Sequence, residues 1–203
     1  DNNGTAGKVI TYKAKNERRA YLQGSGERPL FITGCSYWTV EGLYARNADN
    51  AATASYAGHV VSVAESQNIT LKRLLAVHPN RTCPETSLGQ GCNAGGINID
   101  WSSYVLVEEC EVYDLARRHG ISLFRSSNSV VRRSYVYESL ANDGGTGMIA
   151  YSSARTVFEN VISEGLGYGN NGSQSVANTS LYGGKYNRLF GSIFTDVVKN
   201  DDS

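Results

Sequence analysis

The sequence has 203 residues, a formal net charge of +0 and 40% hydrophobic residues. These values fit one folded domain with a sizeable core, and they argue against a dedicated nucleic-acid binder, which needs a basic excess to neutralise phosphates. No apolar run approaches the roughly 18 residues that a membrane span requires. We therefore predict a single domain over residues 1–203 that binds neither nucleic acid nor membrane.

The composition favours short strands joined by turns. There are 22 Gly and 13 Tyr but only 3 Pro and 1 Met, and β-branched and aromatic residues prefer strands whereas Gly and Asn prefer turns. The first alternating segment is KVITYKAK at 8–15, and a second predicted strand covers 18–23. Together these two strands form part of an initial coil.

Six similar rows follow the first two strands. We align them on the turn residues Tyr37, Asn68, Tyr104, Asn128, Arg155 and Asn187, which lie 24 to 36 residues apart. Seven residues earlier the rows have Leu30, Val61, Ile97, Ile121, Met148 and Ser180; five residues earlier they have Ile32, Val63, Ile99, Leu123, Ala150 and Tyr182. Three residues later they have Val40, Leu71, Val107, Val131, Phe158 and Phe190. Alternating apolar positions of this kind are typical of strands.

The rows are constant in length, and the variable spacing falls in one place. Insertions occupy 46–58, 77–95, 115–118, 139–146 and 164–179, always after the last position of a row. A single coil cannot bury its apolar face, but stacked coils can. The pattern therefore predicts an all-β fold, a parallel β-helix of six to seven coils with long insertions on one edge.

Two segments resemble a known family. GTAGKVITYKAK and PLFITGCSYWTVEGLYARN are similar to an early coil of the pectate-lyase-like superfamily, and most of all to alginate-lyase and chondroitinase-B-like polysaccharide lyases. The resemblance implies a right-handed β-helix, a secreted or extracellular location, a polysaccharide partner and lyase chemistry. The Lys and Arg that those lyases use as base and acid match no motif here, so the activity is not transferred residue by residue.

A charged stripe follows the turn residues. Four positions after the turn the rows have Glu41, Lys72, Glu108, Arg132 and Glu159, and five positions after it they include Arg73, Glu109 and Arg133. The stripe is either a binding face for a charged polymer, with Arg132 and Arg133 as substrate-binding residues, or a solvated charge ladder. The alternating signs favour the ladder, since opposite charges would face each other on adjacent coils.

A second column carries side chains suited to sugars. Glu65, Trp101 and Arg125 lie three residues before the turn on successive coils. An exposed Trp can stack on a sugar ring and Arg can pair with a uronate carboxylate, so we predict Trp101, with the neighbouring Asp100 and Tyr151, as substrate-binding. The alternative is a Glu–Arg surface pair covered by the Trp.

A uronate lyase needs a cation near the carboxylate, a base for the C5 proton and an acid for the leaving oxygen. Arg125 with His119, or Arg132 and Arg133 with Lys72, are the candidate sets. From these we predict His119, Arg125 and Lys72 as catalytic.

Other site chemistries fit the sequence less well. A hydrolase needs paired carboxylates, and Asp100 has no carboxylate neighbour in its own column. His59 and His119 each precede a first strand, two coils apart, and about 10 Å by strand spacing is too far for a shared metal ion unless a loop supplies further ligands. We therefore predict no cofactor and no metal site, and leave a calcium requirement open.

Four cysteines bear on the compartment. Cys83 and Cys92 share the polar segment RTCPETSLGQGC, and a disulfide between them would suit an oxidising compartment. Cys110 falls in an apolar column and is predicted to be buried, whereas Cys35 lies at a turn. Candidate N-glycosylation sites, also typical of secreted proteins, are Asn3, Asn68, Asn80, Asn171 and Asn178.

Neither end of the sequence carries a recognisable capping element. We expect a fragment of a longer solenoid, local blunting of the ends, or end-to-end self-association into a filament or oligomer. Two functions follow. The first is binding or cleavage of an extracellular uronate-type polysaccharide, and the alternative is a structural extracellular protein whose coils stack end to end.

Overall fold

A computed structural model describes residues 3–24, 28–47, 59–77, 95–115, 119–139, 146–164 and 177–195. Over these ranges the chain forms twenty β-strands, numbered β1 to β20 in chain order, and no helix. A membrane-spanning helix is accordingly absent from the same ranges.

The strands form three parallel sheets. Sheet A contains β1 (Ile10–Lys13), β4 (Ser36–Glu41), β7 (Gln67–Lys72), β10 (Ser103–Glu108), β13 (Val130–Arg132), β16 (Val157–Glu159) and β19 (Arg188–Phe190). Sheet B contains β2 (Ala20–Gly24), β5 (Leu43–Asn47), β8 (Leu75–Val77), β11 (Glu111–Leu115), β14 (Tyr135–Ser139), β17 (Ile162–Glu164) and β20 (Ile193–Thr195). Sheet C contains β3 (Leu30–Thr33), β6 (Val61–Ala64), β9 (Ile97–Asp100), β12 (His119–Phe124), β15 (Thr146–Tyr151) and β18 (Ala177–Tyr182).

Each coil takes one strand from sheet C, then one from sheet A, then one from sheet B. The coil β3–β4–β5 is followed by five more, and β1 and β2 form a partial coil before them. The predicted all-β parallel β-helix of six to seven coils is confirmed. The predicted insertions fall between a sheet B strand and the next sheet C strand, on one edge, and lie largely outside the described residues.

The core is one continuous column of inward side chains. Ile97, Ile121 and Met148 occupy paired positions of successive sheet C strands, and all three are fully buried. Burial of each such side chain stabilises the fold by about 1.5–3 kcal/mol. Sheets B and C approach so closely that a Cβ at Gly120 would overlap Cγ1 of Val136, so this position requires glycine.

The coil turns at three positions where the backbone is left-handed. The aligned turn residues are one of them: Tyr37, Asn68, Tyr104, Asn128, Arg155 and Tyr186. Three positions earlier are Gly34, Glu65, Trp101, Arg125, Ser152 and Gly183, and five positions later are Gly42, Arg73, Glu109, Arg133, Asn160 and Gly191. This conformation costs a non-glycine residue roughly 1–2 kcal/mol, so the stacked neighbours must hold most of these corners in place.

The structure corrects the last predicted row by one residue. The turn residue is Tyr186 (φ 60°), not Asn187. On the adjacent strands Thr179 pairs with Met148, Leu181 pairs with Ala150 and Leu189 pairs with Phe158. The expected inward residues Ser180, Tyr182 and Phe190 are therefore turned outward.

The reason for the error is the side chain of Asn187. Asn favours the left-handed conformation, but here its amide caps the neighbouring coil instead. Its Oδ1 accepts a hydrogen bond from the Thr156 N–H at 3.0 Å, and its Nδ2 donates to the Ser153 carbonyl at 3.0 Å. The left-handed turn is consequently taken by Tyr186.

The last described coil is more exposed than the others. Leu181 and Leu189 occupy inward positions, yet they are 41% and 39% exposed. Nothing within the described ranges packs beyond this coil, and the expected end-to-end association stays a prediction.

A ladder of buried serines runs through one corner of the stack. The N–H groups of Cys35, Ser66, Ser102 and Ser126 each donate to the serine Oγ of the next coil, at 3.0–3.2 Å. The last acceptor is Ser153, and each of these hydroxyls in turn donates to the carbonyl two residues before it. The ladder satisfies backbone N–H groups that the corner removes from the sheet hydrogen bonds.

We expect Ser153→Ala to lower the free energy of unfolding by about 1–3 kcal/mol, because the buried Ser126 N–H loses its acceptor. The matched control is Ser152→Ala, which alters an exposed hydroxyl one residue away and should cost less than about 0.5 kcal/mol. Denaturant unfolding of both variants measures the difference. Equal costs would show that the ladder does not stabilise the corner.

Candidate functional site

A cleft of about 550 Å³ lies on the outer face of sheet C. Side chains alternate across a strand, so Ile97 and Ile99 of β9 enter the core while Asn98 and Asp100 face the cleft. The cleft is lined by Arg28, His59, Ser62, Ala64, Asn98, Asp100, His119, Ser122, Leu123, Phe124, Arg125, Ile149 and Tyr151. Five successive coils thus contribute its polar groups.

Asp100 is the carboxyl group of the cleft. Burial raises its pKa above the ordinary value, the guanidinium groups of Arg125 and Arg28 oppose this in part, and the Glu65 carboxylate adds to it. Its buried Oδ1 has no hydrogen-bond partner among the described residues. Asp100 therefore holds its proton more strongly than an exposed aspartic acid does, as suits a proton donor.

Two guanidinium groups are positioned by aromatic rings. Arg125 lies over the Trp101 ring at 4.6 Å and over the Phe124 ring at 4.8 Å, and Arg28 lies over the Phe31 ring at 4.4 Å. Cation–π contacts of this kind restrict the planar groups while leaving N–H donors at their edges. Both arginines line the cleft, where such donors suit a carboxylate ligand.

Two imidazoles occupy the far side of the cleft. His59 and His119 hold the same position two coils apart, with Gly95 between them. A Cβ on Gly95 would approach His59 Nδ1 to 3.0 Å, so the glycine leaves room for that ring. Over the ranges described, no three His, Cys, Asp or Glu side chains are grouped to hold a metal ion.

The opposite wall is polar and aromatic. Phe124, Tyr151 and Tyr182 occupy one column, with ring centroids 5.0 Å apart at each step. On the floor, the Ser122 hydroxyl donates to Asn98 Oδ1 at 2.7 Å. Hydroxyl, amide and ring edges arranged in this way are suited to a polyhydroxylated ligand.

The structure brings together only part of the predicted site. His119, Arg125, Asp100 and Tyr151 line the cleft, and Trp101 lies beside it under Arg125. Glu65, Trp101 and Arg125 occupy the same left-handed position of successive coils, as the alignment required. The functional roles assigned to these residues stay predictions.

Lys72, Arg132 and Arg133 lie elsewhere, on the outer side of sheet A. Lys72 Nζ is 2.9 Å from Glu108 Oε2, and Arg132 Nη2 is 2.7 Å from Glu108 Oε1. Arg133 also pairs with Glu108, and it contacts Glu109 at 3.3 Å. These three cations balance glutamates of adjacent coils, and Lys72 lies on a different sheet from His119. The catalytic role of Lys72 stays a prediction.

Several other predictions concern single side chains. Cys110 is buried, and burial raises the pKa of its thiol to about 12, so it is a structural residue as expected. Asn3 and Asn68 are described, whereas Asn80, Asn171 and the side chain of Asn178 lie outside the described residues. The predicted Cys83–Cys92 disulfide also lies outside them.

Sequence reasoning missed Arg28 and the influence of Glu65 on Asp100. Nine positions before the turn the aligned rows have Arg28, His59, Gly95, His119 and Thr146. Extending the alignment by two positions would have placed Arg28 with the histidines. The influence of Glu65 on the pKa of Asp100 was missed because a carboxylate partner was sought only at the aligned position of Asp100 on the other coils. Glu65 lies one position later, on the preceding coil.

Comparisons with known proteins agree with this architecture. A family model described as a right-handed β-helix region matches residues 2–184. A solved structure of a candidate glycosyl hydrolase from Parabacteroides merdae ATCC 43184 is similar, with a TM-score of 0.57 at 10% identity. The similarity covers 81% of this chain and 78% of that one. The search of curated proteins gave no match.

We expect Asp100→Asn to stabilise the protein at neutral pH. Burial raises the pKa of Asp100, so its ionisation costs free energy in the folded state only. The melting temperature of the variant should exceed that of the wild type increasingly as the pH rises above about 3.9, the unfolded pKa, and the difference should vanish below it. A difference independent of pH would contradict this.

Glu108→Gln should show the opposite dependence. Glu108 is 4% exposed, and Lys72, followed by Arg132, lowers its pKa, so the ionised carboxylate stabilises the fold above the unfolded pKa of about 4.3. We expect the variant to lose about 1–3 kcal/mol at neutral pH. The loss of stability relative to the wild type should shrink as the pH falls through the lowered pKa of the carboxyl. Melting temperatures measured over the same pH range test this.

Proposed function

Because the chain belongs to the right-handed β-helix family, in which neighbouring coils build a common outer face, we propose that its sheet C cleft binds and cleaves a uronate-containing polysaccharide. One observation carries the proposal. The cleft collects two guanidinium groups, two imidazoles and one carboxyl group of raised pKa on a concave surface. The similar solved structure, a candidate glycosyl hydrolase, supports a carbohydrate ligand.

The cation role is best met by the two arginines. Arg125 is held by Trp101 and Phe124, and Arg28 by Phe31. A guanidinium group binds a carboxylate through two parallel N–H donors. Neutralising the uronate carboxylate makes the C5 proton more acidic, because negative charge develops next to that carboxylate when the proton leaves.

The proton transfers fall to the remaining groups. A neutral imidazole, His119 or His59, accepts the C5 proton, and the C5–H electron pair forms the C4–C5 double bond. The C4–O bond breaks, and neutral Asp100 donates its proton to the leaving glycosidic oxygen. The imidazolium and the Asp100 carboxylate are then reset by proton exchange with water.

The location follows from the ligand. Uronate polymers of this kind are components of extracellular matrices and cell walls, so the proposal includes a secreted protein. The near-neutral overall charge fits a local cationic cleft better than a broad polyanion-binding surface. The charged stripe of sheet A is balanced by its own glutamates.

Hydrolysis is a second candidate function. The Glu65 carboxylate of the preceding coil adds to the raised pKa of Asp100, so the acid group of the cleft has a second carboxylate within electrostatic range. Glycosidases use such a pair as acid and base, or as acid and nucleophile. The two chemistries differ in product, because only elimination creates an unsaturated uronide.

We expect incubation with alginate, pectate or chondroitin to produce an ultraviolet absorbance from the C4–C5 double bond together with new reducing ends. Assays should run with and without calcium. New reducing ends without the absorbance would show that the reaction is hydrolysis and not elimination. If neither signal appeared with any of the polymers, cleavage of these substrates would be refuted.

Arg125→Lys should lower kcat/KM by at least about tenfold, since Lys keeps the charge but loses the bidentate fork. Arg155→Lys is the matched control. Arg155 is also an exposed arginine in a left-handed position, with its guanidinium 6.0 Å from the centroid of the Tyr186 ring on the next coil, but it lies outside the cleft. Equal losses in the two variants would show that Arg125 has no special role.

A further inference from the structure

Trp101 occupies a position where its side chain contributes little to the stability of the fold. It is 56% exposed and has a φ of 48°. The left-handed conformation is sterically unfavourable for a bulky residue, and an exposed indole gains little hydrophobic stabilisation that could offset this. Ser152 and Gly183 fill the same position of later coils, so the corner does not require an aromatic side chain. Such an outlier points to a binding role.

The indole contacts a cleft residue on one side and lines a second pocket. Arg125, on the following coil, covers one side of the ring at 4.6 Å and lines the cleft. A second pocket of about 420 Å³ is lined by Trp101 and by residues of the two preceding coils, including Cys35, Glu65 and Gln67. Because Arg125 and this pocket belong to opposite neighbours of the Trp101 coil, they lie on opposite sides of the ring.

The two pockets differ in charge. The cleft contains two arginines and two histidines, whereas the second pocket offers the carboxylate of Glu65 and the amide of Gln67, with no Lys, Arg or His among its described lining residues. A uronate would be repelled by Glu65. Sugar hydroxyls, in contrast, can donate to the carboxylate and bond to the amide while the ring stacks on the indole.

We propose that the second pocket is a subsite for a neutral sugar unit, adjacent to the acidic unit bound in the cleft. The identity of the acidic neighbour rests on the function proposed above; the neutral subsite itself rests on Trp101, Glu65 and Gln67. The preferred ligand is then a polysaccharide that mixes uronate and neutral units, and Trp101 is the residue that selects it.

The test compares two tetrasaccharides by titration calorimetry. One contains only galacturonate, and the other alternates a uronate with a neutral hexose. The mixed ligand should bind about tenfold more tightly, and Trp101→Ala should bring the affinity ratio toward one. The matched control is Tyr104→Ala, an exposed aromatic in a left-handed position of the same coil that lines neither pocket. Its ratio should stay at that of the wild type.

Two further variants guard against an indirect effect through Arg125. Glu65→Ala and Gln67→Ala remove polar groups of the second pocket without touching the Trp101–Arg125 contact. Each should also reduce the affinity ratio, with melting temperatures confirming that the proteins are folded. Unchanged ratios in both variants would overturn the subsite.

Cys35 provides a readout that does not depend on the cleft. Cys35 is half-buried and lines the second pocket. A neutral-hexose oligosaccharide should therefore slow alkylation of its thiol, as measured by mass spectrometry, and Trp101→Ala should remove the protection. Protection without uronate binding would support the subsite and refute the cleft function. Uronate binding with equal affinities and no protection would refute the subsite alone, and the absence of both effects would refute both proposals.

Discussion

The hydrogen bonds between successive coils are the interaction on which the rest of the structure depends. They fix the parallel register, and where the chain turns away from the sheets the serine ladder replaces them, as in the bond from the Ser102 N–H to Ser126 Oγ at 3.2 Å. A buried N–H group without an acceptor would destabilise the fold. Left-handed residues at three positions per coil are tolerated because these bonds hold them.

The same register decides which side chains meet on the outer faces. On sheet A it places Glu108 between Lys72 and Arg132 on neighbouring coils, and the charges neutralise one another. On sheet C it places Asp100 in a concave surface whose cations are held by aromatic rings. Both faces are charged, but only the second leaves its charged groups arranged around an open volume.

The inward half of this fold could be predicted from the sequence, whereas much of the site could not. Apolar residues such as Ile121 and Val131 repeat with the strand period, and that pattern is independent of distant contacts. The turn residue of the last coil was misplaced because Asn187 caps a neighbouring coil through its side chain. Arg28 was missed because the alignment began two positions after it. Its electrostatic effect on Asp100, 72 positions away in sequence, arises only through coil stacking.

In the proposed function, the acidic ligand binds in the sheet C cleft. The most direct measurement is an NMR titration of the histidine ring resonances with a galacturonate oligosaccharide. Binding in the cleft predicts saturable shifts of the His59 and His119 ring signals, with the Arg132 and Arg133 side-chain signals of sheet A unchanged. Shifts confined to the sheet A arginines, with both histidines unaffected, would contradict the account.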